Sequence, residues 1–480
     1  MGLIVKGLNE MKKYFEWSIN SDVIYDESYE SQGVVGGYTG FNKANNSSFI
    51  MNSPGNTLVL RAELTYQNQP FALQWPETYY NDGIDLITIK KGNFFFIANA
   101  HENLNFSDVI IGNCSTNIDS SVIKTSPHNT VNIKVYDFFC ISGYVSVNLG
   151  DINLNLFSAS NLNITPSGRL IFLGNVNLTL SESSRLNVDT ITEFNIKNKK
   201  NSIFLIDQSI VTIKTNTFSF DDSDDSYGSV CDNLSVYAKN NSRFNFKSEI
   251  TFFNGLLTLA EDTAIILFCA DSYDIIQITN TVFSISKGNP IMQFSPLSEG
   301  QSFFDFLTPS ITYPEGMFNF ITTSGINEGV FIMDNIGNDM QFNAVLSKGL
   351  ITINGMPVRK EQLVNRYIDN DLYISLSDDN IVANIQLVSS LCAATTKISY
   401  RCDTVLNLTN SKGKPLYNQQ VDLSLVGSLR ISSDNPVFSD NDGNVTIVTT
   451  GTRNQGNGIT PSGTLRASVG GYIHKDIPLQ

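Results

Sequence analysis

The chain has 480 residues and a formal net charge of −15, and 41% of its residues are hydrophobic whereas only 16% are charged. This hydrophobic content excludes a disordered chain, and an acidic chain without a run of Lys or Arg is poorly suited to binding nucleic acid or anionic lipid. Asn contributes 54 residues, a composition that favours strands and tight turns over helix surfaces. We therefore predict an all-β protein with two to four domains.

Residues 1–145 are predicted to form an N-terminal attachment and β-domain, either a β-sandwich or an irregular β-fold. Residues 4–17 have a weak helical pattern, and they lack the apolar core of a signal peptide, so we expect no export by standard routes. Strand patterns follow at Thr57–Thr65, Val131–Val135, Asp85–Lys90 and Asn93–Ile97. The last two flank a Lys-Gly pair and predict a hairpin.

A Pro/Gly-rich loop in this region contains three aromatic residues, Trp75, Tyr79 and Tyr80. Aromatic faces suit the C–H faces of pyranose rings and lose little entropy when they are ordered. The loop is therefore a candidate sugar-binding platform. The alternative is that these side chains pack in the domain core or at a subunit contact.

A repeat occupies residues 146–294, in which two apolar residues flank one variable residue. The six pairs are Leu154/Leu156, Leu178/Leu180, Ile203/Leu205, Leu234/Val236, Leu257/Leu259 and Phe283/Ile285. A second apolar position follows eight or ten residues later, at Leu162, Leu186, Val211, Phe244, Ile265 and Ile291. A period of about 25 residues in alternating strand code is typical of stacked coils, so we predict a β-helix-like solenoid with the apolar set inside.

The longest repeat contains an acidic insertion with Asp221, Asp222, Asp224 and Asp225. Paired carboxylates perform general acid and base chemistry in glycoside hydrolysis, so this loop is a candidate catalytic site. A weak Ca²⁺ site is a second interpretation. The third is a solvated turn without a task, which we favour because catalysis needs rigid support.

Residues 295–384 break the repeat and are predicted to form a cap and connector, because an open last coil would expose strand edges. Asn354-Gly355 within Leu350–Val358 predicts a two-residue hairpin turn, and Arg359–Tyr367 is a candidate short helix.

Residues 385–480 have the strand and turn rhythm of a β-sandwich. Three segments carry a resemblance: Thr404–Leu425, Phe438–Thr450 and Gly463–Gly471. These segments resemble the bacterial immunoglobulin-like repeats of invasin and intimin. The shared features are a strand followed by a GKPL-type turn, an Asp-Gly turn into a strand, and a final strand that ends in Val-Gly. Related domains are similar to accessory modules on tailed-phage virions. The Asn-rich repeat resembles phage tail-fibre and tailspike β-helices and also bacterial adhesins. The resemblance implies an Ig-like β-sandwich that is displayed on a surface.

Motifs for other chemistry are missing from the sequence. The three His residues have no metal-ligand spacing, and no nucleophile elbow or phosphate-binding loop occurs. We therefore predict no catalytic residue, no metal site and no cofactor. The six Cys residues are scattered; Cys392 and Cys402 could face each other across a hairpin, but six reduced, buried thiols are the favoured interpretation.

These patterns together favour a non-enzymatic structural virion protein of a tailed phage, assembled in the host cytoplasm, that displays an Ig-like domain for host attachment. Its expected partners are other virion proteins, further copies of itself (with a trimer favoured) and host-surface glycans. No stretch of 18 apolar residues occurs, so membrane insertion is not expected. The alternatives are a β-helical polysaccharide depolymerase and a bacterial surface adhesin.

Overall fold

The structure of the protein is a computed structural model. It describes residues 14–17, 23–25, 48–64, 71–73, 85–100, 108–111, 130–135, 138–143, 146–149, 151–166, 169–172, 176–196, 200–219, 233–271, 276–322, 327–377, 382–396, 398–410, 412–452, 460–469 and 473–480. The chain divides into two compact units. Unit 1 comprises residues 1–283, 291–305 and 333–335, and unit 2 comprises residues 284–290, 306–332 and 336–480.

The described residues are almost entirely strands, which confirms the all-β class. Strands β1 to β12 are Tyr14–Trp17, Val23–Tyr25, Ser48–Leu64, Phe71–Leu73, Asp85–Ala100, Asp108–Ile111, Thr130–Val135, Phe138–Gly143, Ser146–Leu149, Asp151–Leu156, Asn161–Pro166 and Arg169–Phe172. Strands β13 to β24 are Val176–Leu180, Arg185–Asp189, Glu193–Ile196, Lys200–Leu205, Ile210–Ser219, Asn233–Ala238, Arg243–Asn254, Leu256–Asp262, Ile265–Cys269, Ile276–Thr279, Val282–Gly288 and Ile291–Ser295.

Strands β25 to β38 are Phe318–Phe320, Val330–Met333, Ile351–Ile353, Met356–Pro357, Leu363–Ile368, Asp371–Leu376, Asn384–Ala394, Ser399–Thr409, Gln420–Gly427, Arg430–Ile431, Val437–Phe438, Asn444–Thr452, Gly463–Val469 and Ile473–Leu479. One α-helix, α1 (Asp339–Ser347), and one 3-10 helix (Lys360–Gln362) complete the elements of the described residues. No helix in this part of the chain is long and apolar enough to cross a membrane.

Unit 1 is built from three ladders of parallel strands. Ladder A runs through β3, β5, β7, β10, β13, β16, β18 and β20. Ladder B runs through β3, β5, β8, β11, β14, β17, β19, β21 and β24. Ladder C runs through β4, β6, β9, β12, β15, β17, β19 and β22. The chain visits A, B and C in turn and then returns to A, so each strand pairs with strands of neighbouring coils.

The apolar repeat forms the interior of these ladders. Leu154 is the register partner of Leu178, and Leu178 is the partner of Ile203; all three are at most 3% exposed. Alternation explains this burial, because successive strand residues point to opposite faces. In ladder B, Leu162, Leu186, Val211 and Phe244 are likewise successive partners.

After the acidic insertion the predicted apolar positions are only partly correct. Leu234, Val236, Phe283 and Ile285 are buried as predicted, but the register of β18 is shifted by two residues and the predicted phase is wrong in β20, β21 and β24. Ile203 pairs with Val236 and not with Leu234, and Leu257 is 38% exposed while Leu256 and Thr258 point inward. Correspondingly, ladder B buries Ile266 and Met292 in place of Ile265 and Ile291. In a run such as Leu256-Leu257, either of the two adjacent apolar residues could face the interior, and only the pairing with the neighbouring strand decides which one does.

The turn between ladders A and B repeats in four successive coils. Two residues with left-handed backbone, such as Ser158-Ala159 and Glu182-Ser183, precede a buried Ser. The buried residues at this position are Ser160, Ser184, Ser209 and Ser242. Backbone hydrogen bonds continue through the turn, for example from the N–H of Ala159 to the carbonyl of Glu182 at 2.7 Å. Neighbouring coils are therefore linked by hydrogen bonds at this corner as well as along the strands.

Phe residues dominate the interior of the later coils. Phe268 is 1% exposed and contacts five other rings with centroid separations of 5.2 to 6.1 Å. These rings belong to Phe244, Phe246, Phe253, Phe283 and Phe294. The contacts are tilted, edge-to-face with Phe253 and stacked with Phe294, and aromatic pairs in such arrangements add to the stabilisation by burial.

Two expectations for the first 145 residues are wrong. Residues 14–17 are strand and pair in parallel with Ser48–Met51, so the predicted helix does not extend over them; its residues 4–13 lie outside the described residues. The predicted hairpin is one bent strand, β5, whose two halves pair with β7 and β8. Gly92 permits the bend, because its φ is +104° and an added Cβ would lie 2.6 Å from the carbonyl oxygen of Ser53. The same ladders continue on both sides of residue 145.

In unit 2, residues 336–376 combine α1 with two hairpins. Asn354 and Gly355 both have positive φ and join β27 to β28, as the sequence predicted. The candidate helix at Arg359–Tyr367 is a single 3-10 turn followed by β29. Helix α1 was not predicted; Asn338 caps it by accepting a hydrogen bond from the N–H of Gln341.

Residues 382–480 form a two-sheet domain. One antiparallel sheet has the order β31-β32-β36-β34 and the other β35-β33-β37-β38. Leu406, Val445, Val421 and Leu465, two from each sheet, are completely buried in a shared core. Cys392 faces Cys402 in the register of β31 and β32 and forms a disulfide with it, which corrects the interpretation of six reduced thiols. Cys140 and Cys269 form no disulfide, and Cys114 and Cys231 lie outside the described residues.

Candidate ligand-binding surfaces

Both candidate sites predicted from the sequence lie outside the described residues. These are the aromatic loop with Trp75, Tyr79 and Tyr80 and the acidic insertion with Asp221, Asp222, Asp224 and Asp225.

Carboxylates at the corners of unit 1 link adjacent coils. Glu182 accepts hydrogen bonds from the backbone N–H and the hydroxyl of Ser158, and Asp207 accepts one from the side-chain amide of Asn240 at 3.0 Å. Asp189 lies 3.5 Å from the ammonium group of Lys214, its partner one coil later. A carboxylate that holds two coils together has a structural role, and exposed pairs of this kind each contribute less than about 1 kcal/mol.

A second group of carboxylates surrounds Cys269 near the end of ladder B. Asp271 is 2% exposed and accepts hydrogen bonds from the N–H groups of Leu297 and Ser298, at 2.6 and 3.0 Å, and from the Ser298 hydroxyl. Asp334 accepts hydrogen bonds from the Ser295 hydroxyl, at 2.6 Å, and from the Gln293 amide. These bonds fix the turn after β24. Burial raises the pKa of the Cys269 thiol, so this thiol is not activated as a nucleophile.

The outer face of ladder A contains two parallel rows of side chains. The first row consists of register partners Asn153, Asn177, Ser202, Ser235 and Leu257. The second row, two residues further along each strand, consists of Asn155, Thr179, Phe204, Tyr237 and Leu259. None of these ten side chains carries a charge at neutral pH. In the first row Ser202 donates a hydrogen bond to Asn177, which in turn donates one to Asn153.

Phe204 and Tyr237 form a stack in the second row. Their ring centroids are 4.8 Å apart and their planes differ by 15°. Phe204 is 37% exposed. The Tyr237 hydroxyl donates a 2.7 Å hydrogen bond to Glu261. Burial and this bond raise the pKa of Tyr237 above its ordinary value of 10.0. The stack is therefore fixed at its Tyr237 end and has an exposed ring at the other.

The two-sheet domain has its own exposed aromatic residues. Tyr417 is 63% and Phe438 is 54% exposed. Phe438 is the register partner of Gln420, whose amide donates a hydrogen bond to Asp422. An exposed ring beside an amide, as Phe438 beside Gln420, can contact a polar ligand with its apolar face.

Further along this sheet, Arg466 makes a bidentate pair with Asp476, at 2.7 and 2.8 Å. The pair lowers the pKa of Asp476 and raises that of Arg466. The neighbouring His474 is exposed. Among the described residues no group of three His, Cys, Asp or Glu side chains is arranged to hold a metal ion.

The Phe204–Tyr237 stack was missed in the sequence, although a signal was present. Ser202–Leu205 and Ser235–Ala238 read Ser-Ile-Phe-Leu and Ser-Val-Tyr-Ala. The aromatic residue stands between two apolar ones, which is the outward position of the predicted strand. Aligning the coils across the insertion would have placed the two rings side by side.

No protein-family model and no curated protein matches the chain. A comparison with solved structures finds the full-length tailspike protein 2 of the Escherichia coli O157:H7 bacteriophage CAB120, with 10% identity and a TM-score of 0.20. The match covers 89% of this chain and 61% of the tailspike protein, so the chain spans less than two thirds of that protein's length. A likeness of this degree does not define a shared fold.

Proposed function

We propose that this chain is a non-enzymatic structural component of a tailed-phage virion, in which the coils of unit 1 are a spacer and the two-sheet domain is an immunoglobulin-like module for host attachment. Other virion proteins and further copies of the chain, with a trimer favoured, are its proposed partners. Host-surface glycans are its proposed ligands.

The observation that carries this proposal is the use of polar groups in unit 1. Ladder hydrogen bonds continue through the corners, and Glu182, Asp207 and Asp189 connect neighbouring coils. At ~4.8 Å for each step, the eight strands of ladder A span roughly 34 Å. Side chains used in this way favour a spacer over an enzyme, whose carboxylates must be available to substrate.

The attachment role is supported by the exposed Tyr417 and Phe438 of the two-sheet domain. Single contacts of this kind are weak, and repetition of the chain in a symmetric assembly can raise the apparent affinity by a factor of ~10²–10⁴. The test is adsorption of the purified full chain to host cells, compared with the double variant Tyr417→Ser/Phe438→Ser. We expect wild-type chain to bind and the variant to bind far less. Equal binding of the two would contradict attachment through this domain.

The location in the virion has a separate test. We expect mass spectrometry to find the chain in density-gradient-purified particles from cells that express the gene, at a constant ratio to the major capsid protein. Recovery from the cell surface without particles would instead support the adhesin alternative.

The depolymerase alternative is tested on the same material. Incubation of the chain with purified host polysaccharide should release no new reducing ends. Release that is lost when Asp221, Asp222, Asp224 and Asp225 are all replaced by Asn would overturn the non-enzymatic proposal.

A further inference from the structure

The Phe204–Tyr237 stack is open at one end. Tyr237 covers one face of the Phe204 ring at a centroid separation of 4.8 Å. The register partner on the other side of Phe204 is Thr179, and the one after that is Asn155. These side chains are much shorter than a phenyl ring. A third ring in the row would lie at the position of Thr179. The Thr179 side chain has only three heavy atoms, so it leaves space beside the Phe204 ring.

A pyranose ring matches this position in size and chemistry. Its C–H face is apolar and packs against an aromatic face, while its hydroxyl groups lie at the ring edge and form hydrogen bonds. The neighbouring row places the amides of Asn153 and Asn177 beside Thr179. Asn177 is exposed, and its amide donates one hydrogen bond to Asn153 and accepts one from Ser202. An amide has two N–H groups and two acceptor lone pairs, so the second of each can serve a sugar hydroxyl.

The charge of the site favours an uncharged sugar. The two rows contain no Lys or Arg that could pair with a carboxylate, sulfate or phosphate. The second row continues past Asn155 to its register partner Lys134, two pairings from Thr179, and Glu261 lies at the opposite end of the stack, while the whole chain carries a net charge of −15. The positions that adjoin Thr179 in the two rows therefore offer no cation to an anionic sugar, and the net charge of the chain opposes its approach.

We infer that the surface formed by Phe204, Thr179, Asn155 and Asn177 binds an uncharged saccharide, whose pyranose ring continues the Phe204–Tyr237 stack over Thr179. The inference adds a second glycan contact, on unit 1, to the proposed attachment role. It depends on that role for its biological purpose only, because binding of saccharide is measured on the purified chain.

The experiment uses the full chain on an array of neutral and N-acetylated hexose oligomers beside sialylated and uronic-acid oligomers, followed by calorimetric titration with the strongest neutral oligomer. Phe204→Ala removes the ring that the sugar contacts. Thr179→Phe fills the position with the protein's own third ring and so blocks the site without removing the stack. Each variant is expected to weaken binding about tenfold or more.

Two matched controls separate blocked binding from damaged structure. Leu257→Ala removes an equally exposed apolar side chain, 38% against 37%, from the other row. Thr212→Phe makes the same substitution on the outward side of ladder B, at a partly buried position like Thr179. Both controls should bind as wild type does, and all four variants should retain the wild-type circular dichroism spectrum.

Loss of neutral-sugar binding in Phe204→Ala and Thr179→Phe, with both controls intact, would support the inference. Three results would overturn it: no binding of any neutral oligomer, binding of acidic oligomers only, or unchanged affinity in both site variants. The last result, with binding lost in Tyr417→Ser/Phe438→Ser, would leave the attachment role standing and place the glycan contact in the two-sheet domain alone.

Discussion

Unit 1 and the two-sheet domain form the hydrogen bonds of their backbone N–H and C=O groups in different ways. In ladders A, B and C a strand pairs in parallel with strands one coil away, at separations such as 24 residues between Leu154 and Leu178. In the two-sheet domain β32 pairs antiparallel with β31 and β36, and a disulfide joins β31 to β32. Repeated coils have a core that is extended by each coil, whereas the domain has one closed core. The stability of unit 1 therefore depends on the packing between neighbouring coils. The stability of the domain depends on a single core and on the disulfide.

The largest expected effect is on the Phe interior of unit 1. Phe268→Ala removes a ring that contacts five others, and we expect a loss of about 3–5 kcal/mol of unfolding free energy. Differential scanning calorimetry should show a lower transition for unit 1 and an unchanged one for the domain. Leu257→Ala, at a 38% exposed position, is the control and should cost less than about 1 kcal/mol. A shift of both transitions in Phe268→Ala would mean that the two regions do not differ as described.

The disulfide should matter for the domain alone. Its closed loop has a sequence separation of 10 residues, for which loop entropy predicts a stabilisation of about 2–3 kcal/mol. The double variant Cys392→Ser/Cys402→Ser should lower the domain transition and leave that of unit 1 in place. Cys269→Ser is the matched control for loss of a thiol. An unchanged domain transition would show that packing around the buried Cys402 stabilises the domain without the disulfide.

The third effect is the hydrogen bond between two coils of unit 1 from Tyr237 to Glu261. Tyr237→Phe keeps the stacked ring but removes the 2.7 Å bond, which we expect to cost about 1 kcal/mol at pH 7. The pKa of Tyr237 is raised in the folded chain, so its contribution is complete below pH 10 and is lost as the pH rises above that value. Unfolding in urea at several pH values should therefore show wild type and variant converging above pH 10. A constant difference would disprove the assigned role of the hydroxyl.

The smallest effect concerns the surface of the two-sheet domain. The Arg466 guanidinium lowers the pKa of Asp476 below its ordinary value of 3.8. A lowered pKa means that the stabilisation is present above that value and is lost as the pH falls through the folded pKa. Proton-detected NMR titration should find the Asp476 pKa below 3.8 and closer to 3.8 in Arg466→Gln. The effect on stability should be near the detection limit, because both side chains are exposed.

The strand content and the stacking of apolar residues were predictable from the sequence. Leu154, Leu178 and Ile203 repeat at nearly constant intervals, and alternation alone places them on one face of each strand. The Asn354-Gly355 turn was predictable because few other residue pairs adopt two successive positive φ values.

Other features depend on pairing that no local pattern encodes. Leu256-Leu257 and Ile265-Ile266 each offer two apolar phases, and pairing with the partner strand decides which phase is buried. The bend at Gly92 looks like a hairpin because a Lys-Gly pair suits both a turn and a corner. The Phe204–Tyr237 stack is formed by residues 33 positions apart, so it can be predicted only when the register between β16 and β18 is known.

The most direct test of the parallel ladders is a distance between two positions on the outer face of ladder A. Asn153 and Leu257 are separated by four successive pairings, through Asn177, Ser202 and Ser235. Spin labels at these two positions, in a chain whose free thiols are replaced by Ser, should give a narrow distribution centred near ~19 Å in double electron–electron resonance. A distance about twice as long, or a broad distribution, would contradict the stacking of these strands as successive coils.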